Sequence, residues 1–123
     1  MANRAKQKGT SHESAIVTWL RSHGWPYAAR KTQAGAADEG DVRLSERVPY
    51  VVEAKNTQAA SLGPWMKELE AEVRNAKADG GAVIWKKRGT TDVGEYYAIM
   101  PVKHLNHLLH LAYGEDRSSD PVL

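Results

Sequence analysis

Glu53 and Lys55 lie two residues apart in Tyr50-Val51-Val52-Glu53-Ala54-Lys55, a stretch that otherwise reads as an apolar β-strand. The two-residue period of a strand puts Tyr50, Val52 and Ala54 on one side and Val51, Glu53 and Lys55 on the other. The second side runs from apolar to charged along its length, as a sheet edge opening into a cleft does. Asp41-Val42-Arg43-Leu44 reads as the preceding strand, joined through a short polar connection at residues 45–49. An antiparallel hairpin of that shape pairs residues whose numbers sum to about 94, which sets Asp41 opposite Glu53. Two carboxylates facing each other repel, and a divalent cation between them relieves the repulsion. Hard ions such as Mg²⁺ take carboxylate oxygens and keep several waters, so two acids suffice. Lys55 projects to the same place, where it can orient or help deprotonate a metal-bound water, or balance charge on a phosphate oxygen. The competing reading is a solvent-facing strand end, with Glu53 and Lys55 an exposed pair of small energetic weight.

Glu13 also has two readings. Thr10-Ser11-His12-Glu13 fits a capping box, in which a helix starts near Thr10 and Glu13 closes its first turn. Glu13 shares a helical face with Ile16, Val17 and Leu20, the face expected to press on the sheet. A carboxylate at the head of that stripe points at the sheet's edge, and the two roles are compatible.

The elements that must position these groups follow from periodicity and punctuation. The first helix is expected from Thr10 to Gly24, with Pro26 beyond it, then a strand over residues 25–31 and a small-residue loop over 32–39. After the hairpin, Pro64 opens a helix in which Met66, Leu69, Val73 and Ala76 repeat at helical spacing and Glu70 precedes Arg74 by four. Asp79-Gly80-Gly81 ends it. Residues 82–85 read as a strand buried on both faces, and residues 96–100 as another, reached through a basic loop. A last helix over residues 101–113 places Leu105, Leu108, Leu109 and Ala112 on one stripe. The class is α/β, a mixed sheet covered by helices. One domain spans residues 10–113, between a flexible basic arm at 1–9 and a polar tail at 114–123.

The 123 residues contain no cysteine, which excludes disulfides, thiolate zinc sites and a cysteine nucleophile. No apolar run approaches the ~20 residues of a membrane span, and the start lacks an export signal, so an intracellular protein is expected. The net charge of +2 divides into +5 over residues 1–31, −4 over 32–72, +3 over 73–103 and −2 over the rest. Basic flanks around an acidic middle suit a polyanion held at its edges. Arg4, Lys6, Lys8, Arg30, Lys31, Lys86, Lys87 and Arg88 are the candidate phosphate contacts, against the alternative that they are solvated turns. Trp25, Tyr27 and Trp85 read as core rather than as base-stacking groups. Gln58 reads as a loop residue. His104, His107 and His110 lie off the leucine stripe and read as a solvated or partner-facing surface. No nucleophile elbow and no nucleotide-binding glycine loop is present.

On Glu13, Gly40-Asp41 and, after eleven intervening residues, Glu53-Ala54-Lys55, the chain resembles the PD-(D/E)XK nuclease superfamily. The order helix, three strands, helix, strand is similar to that superfamily's restriction-endonuclease-like αβββαβ core. The spacing and the helix-borne Glu13 most resemble the small Holliday-junction resolvases of archaea and phages. The likeness covers about residues 10–100; Gly40 stands where the motif's name has Pro and is not a ligand. The resemblance implies that Asp41, Glu53 and the Ala54 carbonyl bind Mg²⁺, with Mn²⁺ able to substitute. It gives Lys55 the water-activating role and Glu13 an outer-shell one. The implied activity is hydrolysis of phosphodiesters in branched, four-way-junction DNA. A nicking, flap or mismatch nuclease and a non-catalytic DNA-binding domain are the alternatives. Two symmetric cuts with one cleft per chain call for a homodimer. Leu111, Tyr113 and Trp65, on the last helix and the helix over residues 64–78, are the apolar groups to make its contact.

Overall fold

Val51 and Val52 are neighbours in sequence, yet both are buried, because they stand on opposite faces of a strand covered from each side. The computed structural model describes residues 4–31 and 38–114, with side chains from Lys8 onward, and that strand is β3 (Tyr50–Lys55). The other elements are α1 (Arg4–Ser22), β1 (Ala29–Arg30), β2 (Val42–Arg43), α2 (Leu62–Ala76), β4 (Gly80–Trp85), β5 (Tyr97–Ile99) and α3 (Val102–Tyr113). They form an α/β fold around a five-stranded mixed sheet whose strands lie in chain order. β3 runs antiparallel to β2 and parallel to β4, and the parallel pair requires the crossover that α2 provides. Val42 pairs with Val52, and the Asp41 amide donates to the Val52 carbonyl at 3.0 Å. This is the register the hairpin arithmetic expects, and it brings Asp41 beside Glu53.

Alternation along β3 divides the core in two. Val52 packs with Ile16, Val17, Leu20, Ala28 and Val42 under α1, and Val51 packs with Trp65, Leu69 and Val83 under α2. Ile16, Leu69 and Val83 have no exposure at all, and each such side chain contributes roughly 1.5–3 kcal/mol by leaving water.

Several boundaries differ from the sequence expectation. α1 begins at Arg4, so the basic arm is helical from there and Thr10 lies inside the helix, where it caps nothing. The run Arg4-Ala5-Lys6-Gln7-Lys8 consists of strong helix formers, and Gly9, at a cost of about 1 kcal/mol, does not stop them. The first strand shrinks from residues 25–31 to Ala29–Arg30, because a turn with Ala28 N donating to the Trp25 carbonyl precedes it. Most of the small-residue loop, residues 32–37, and the tail from residue 115 lie outside the described residues.

α3 differs most. Its leucine stripe is not core: Leu105 and Leu109 are nearly half exposed, and Leu111 and Tyr113 more so. The buried residue is His104, placed on the solvated side by the sequence reading. His104 Nδ1 accepts from the Gly81 amide at 3.3 Å and its Nε2 meets Glu70 at 3.1 Å, while Lys103 holds the same carboxylate at 2.7 Å. Glu70 is therefore tied to α3, not to Arg74 as its spacing suggested. The ring fits because Gly80 has no side chain; a Cβ there meets the His104 ring at 3.3 Å. Trp65 is buried on the inner face of α2, against Val51 and Val83, and is not available to a partner. Among the described residues no helix is long and apolar enough to cross a membrane.

Gly81 gives the first prediction. A Cβ there meets Leu69 Cδ1, Val51 Cβ and the Val51 carbonyl, each at 2.9 Å. Gly81→Ala should cost about 1–3 kcal/mol and lower the melting temperature by several degrees. Gly63→Ala, which meets nothing within 4 Å, should leave it level or raised. Thermal melts followed by circular dichroism decide this, and an unchanged midpoint for Gly81→Ala contradicts the packing.

Candidate active site

β3 and β4 are parallel and end together, and their carboxyl ends carry the charged groups. Glu53 and Lys55 close β3; Lys86 follows β4 and its amide donates to the Lys55 carbonyl at 3.0 Å. The crevice outside such strand ends is where open α/β sheets bind ligands. Glu53 and Asp41 are 3% and 7% exposed, which removes the reading of a solvent-facing strand end for both.

Asp41 is held by the main chain on three sides. Its amide donates to the Val52 carbonyl, its carbonyl accepts from the Lys31 amide at 2.8 Å, and its Oδ2 accepts from the Ala54 amide at 2.8 Å. The N–H and C=O of one strand residue point the same way, so the Ala54 carbonyl also faces the Asp41 side of β3. Gly40 has φ +102°, and a Cβ there meets Val51 Cγ1 at 2.8 Å. Proline, fixed near φ −65°, cannot take that conformation, so this turn requires glycine.

The side of β3 that carries Glu53 and Lys55 faces α2, and α2 brings acids the sequence reading did not single out. Lys55 Nζ donates to both oxygens of Glu68, at 3.1 and 3.2 Å. Glu72 is 1% exposed. Glu53 Oε2 and both Glu72 oxygens are buried and meet no hydrogen-bond donor among the described residues. Oxygens of Asp38, Glu53, Glu68 and Glu72 all lie within 4.8 Å of one another. Asp38 is fixed to this face by Asn75, whose Nδ2 donates to its carbonyl at 2.9 Å, and its Oδ1 accepts from the Gly40 amide at 2.8 Å. The signal for Glu72 was its spacing. The buried stripe of α2 is Trp65, Leu69 and Glu72, one step around the helix from the Met66–Val73 line.

Charge on these groups is strongly shifted. Burial, then the close carboxyl groups of Asp41 and Glu72, push Glu53 far up. Burial above all pushes Glu72 up to about 7. Burial raises Glu68 too, but contacts with Glu53 and Lys55 outweigh it and the net shift is downward. For Lys55, burial acts to lower, and Glu68, with Glu53 and Asp41, overcomes it, so the ammonium is favoured.

Glu13 stands mid-helix and is not part of the acidic cluster. Its Oε1 accepts from Arg30 Nε at 3.2 Å; burial and then the charge of Asp41 raise it, which places it in electrostatic reach of Asp41. His12 beside it is buried, with Nε2–H donating to the Ile84 carbonyl at 3.1 Å, and burial lowers its pKa. Lys31 pairs with Glu39 at 3.1 Å. Lys86, Lys87 and Arg88 line an open groove with Gly89, Thr90 and Thr91. Lys8 is exposed on α1, and the Arg4 and Lys6 side chains lie outside the description. Trp25 and Trp85 pack against the core as expected, whereas Tyr27 is 78% exposed. Gln58 is an exposed loop residue. Comparison with protein-family models, with curated proteins and with solved structures finds no match to the chain.

The second prediction is a pH dependence. Between the ordinary glutamate value and about 7, folded Glu72 keeps a proton that the unfolded chain has lost. The folded state then binds more protons, so stability falls as pH rises through this window, and Glu53 acts in the same direction. In EDTA, Glu72→Gln should gain in melting temperature over the parent as pH goes from about 5 to about 8. A difference that stays constant across that range contradicts the buried-acid assignment.

Proposed function

We propose that the protein is a Mg²⁺-dependent endodeoxyribonuclease of the PD-(D/E)XK type, acting on branched DNA and resolving four-way junctions. The observation that carries this reading is the burial of Asp41 and Glu53 side by side at the carboxyl end of β3, with Lys55 on the Glu53 face. The order α1, β1, β2, β3, α2, β4 agrees with the αβββαβ core that the resemblance implies. The donor set suits a hard cation: carboxylate and carbonyl oxygens, with Glu53 Oε2 buried and short of a partner.

Asp41 and Glu53 are the residues to hold Mg²⁺, or Mn²⁺ in its place, with the Ala54 carbonyl as a third oxygen. Such an ion neutralises charge at a scissile phosphate and makes a nearby water more acidic. Asp41, pinned by the Ala54 amide, keeps its carboxylate in place without rotamer freedom. Lys55 is held charged by the surrounding acids, so its part is to orient the attacking water or a phosphate oxygen with an ammonium, rather than to accept a proton as a free amine. Glu13, tied to Arg30, supports the Asp41 side from outside the ligand set. The groove of Lys86, Lys87 and Arg88 at the same strand ends offers phosphate contacts.

Junction resolution needs two clefts, and a two-fold dimer supplies them. The exposed apolar side of α3, with Leu105 and Leu109, is the surface for that contact.

Asp41→Asn and Glu53→Gln should each abolish cleavage while the protein stays folded. Lys55→Ala should slow the chemical step by about 10²–10⁴-fold yet still bind junction DNA in Ca²⁺. Single-turnover cleavage and gel-shift assays read these, and near-parental cutting by either acid variant overturns the site. Light scattering should show a dimer that Leu105→Glu with Leu109→Glu converts to a monomer. A parent that stays monomeric free and on junction DNA replaces the resolvase with a nicking or flap nuclease of the same chemistry.

A further inference from the structure

We propose that the chain holds a second divalent-cation site on the α2 side of the sheet, formed by Asp38, Glu68 and Glu72 with Glu53 shared. It deepens the nuclease reading and rests on it only for the first ion, the one between Asp41 and Glu53. The geometry is that of a site in waiting. One oxygen from each of the four acids lies within 4.8 Å of all the others. Ligands on opposite sides of an ion are twice the metal–oxygen distance apart, about 4.2 Å for Mg²⁺ and ~5 Å for Ca²⁺. The cluster therefore fits a cation of this size with little movement.

Burial is the second and independent observation. Glu72 is 1% exposed and supplies an oxygen to the cluster, and neither of its oxygens, nor Glu53 Oε2, meets an N–H or hydroxyl donor among the described residues; the neighbours are other carboxyl groups. A buried carboxylate left unpaired is expensive, and among the described residues the one ion pair these four acids make is Glu68 with Lys55. The set is all oxygen, with no histidine or cysteine, which selects hard ions such as Mg²⁺, Mn²⁺ or Ca²⁺ over zinc or copper. An entry path exists, because the Glu68 side chain is 43% exposed while its carboxylate reaches Lys55. Both Glu68 oxygens now contact Lys55 Nζ. An ion bound there competes with the ammonium for Glu68 and so loosens Lys55 from α2, linking occupancy of this site to the residue proposed to act on water.

The test is Mn²⁺ binding to the full chain at neutral pH, read as loss of the free-ion signal in electron paramagnetic resonance. The parent should bind two Mn²⁺ per chain, the Glu68→Gln/Glu72→Gln double variant one, and Asp41→Asn one. A parent that binds no ion, or a folded double variant that binds as many ions as the parent, overturns the second site. DNA cleavage separates the two readings. Two ions bound with no DNA cut sinks the nuclease and keeps the site, whereas Asp41-dependent cutting by a chain that binds one ion does the reverse.

Discussion

Placing a carboxylate away from water costs several kcal/mol unless it is paired, and this fold places Asp41, Glu53 and Glu72 around the end of one strand with 7%, 3% and 1% exposure. Lys55, held by Glu68, is an ammonium on the same face of that strand. Two remedies exist: protons or a cation. Without a cation, Glu53 and Glu72 move toward the protonated form. A divalent ion provides the opposite sign in one compact charge and leaves the carboxylates ionised. The concentration of acid is thus a standing electrostatic stress whose relief depends on solution conditions, and the rest of the fold is arranged to keep it in place.

Rigid backbone maintains that stress. Asp41 is bound through its amide, its carbonyl and one side-chain oxygen, and the positive φ of Gly40 aims the chain into the turn before it. Val51 and Val83 lock β3 and β4 under α2, so Glu53 cannot swing out without opening a core that includes fully buried Leu69. α2 is held at its far side as well, through Glu70 to Lys103 and His104. The carboxylates cannot separate cheaply, and that is the condition under which a site is organised before its ligand arrives.

How much of this could be read in the sequence depends on the kind of signal. β3 was legible residue for residue, since alternation and the short connection together fix a register, and Val42 opposite Val52 satisfies it. The pairing of Asp41 with Glu53 followed from the same constraint. Glu72 was hidden because a helix with apolar residues at several phases has more than one possible inner stripe. The Met66, Leu69, Val73 and Ala76 spacing marks one such stripe, and the buried one, Trp65, Leu69 and Glu72, lies a step around from it. α3 departs from the sequence expectation for a different reason. Leucines at helical spacing state that an apolar face exists, not what covers it, and here His104 docks the helix while Leu105 and Leu109 stay open. The start of α1 was misplaced because a good capping box at Thr10 competes with a longer run of helix formers before it.

The central claim is that the acids around β3 serve phosphodiester hydrolysis. It is tested most directly by incubating the purified chain with labelled duplex, nicked, flapped and four-way-junction DNAs in Mg²⁺, Mn²⁺ or EDTA. The account predicts that the junction is cut on two opposing strands at symmetric positions, in either metal and not in EDTA. DNA left intact across the whole panel in both metals contradicts it.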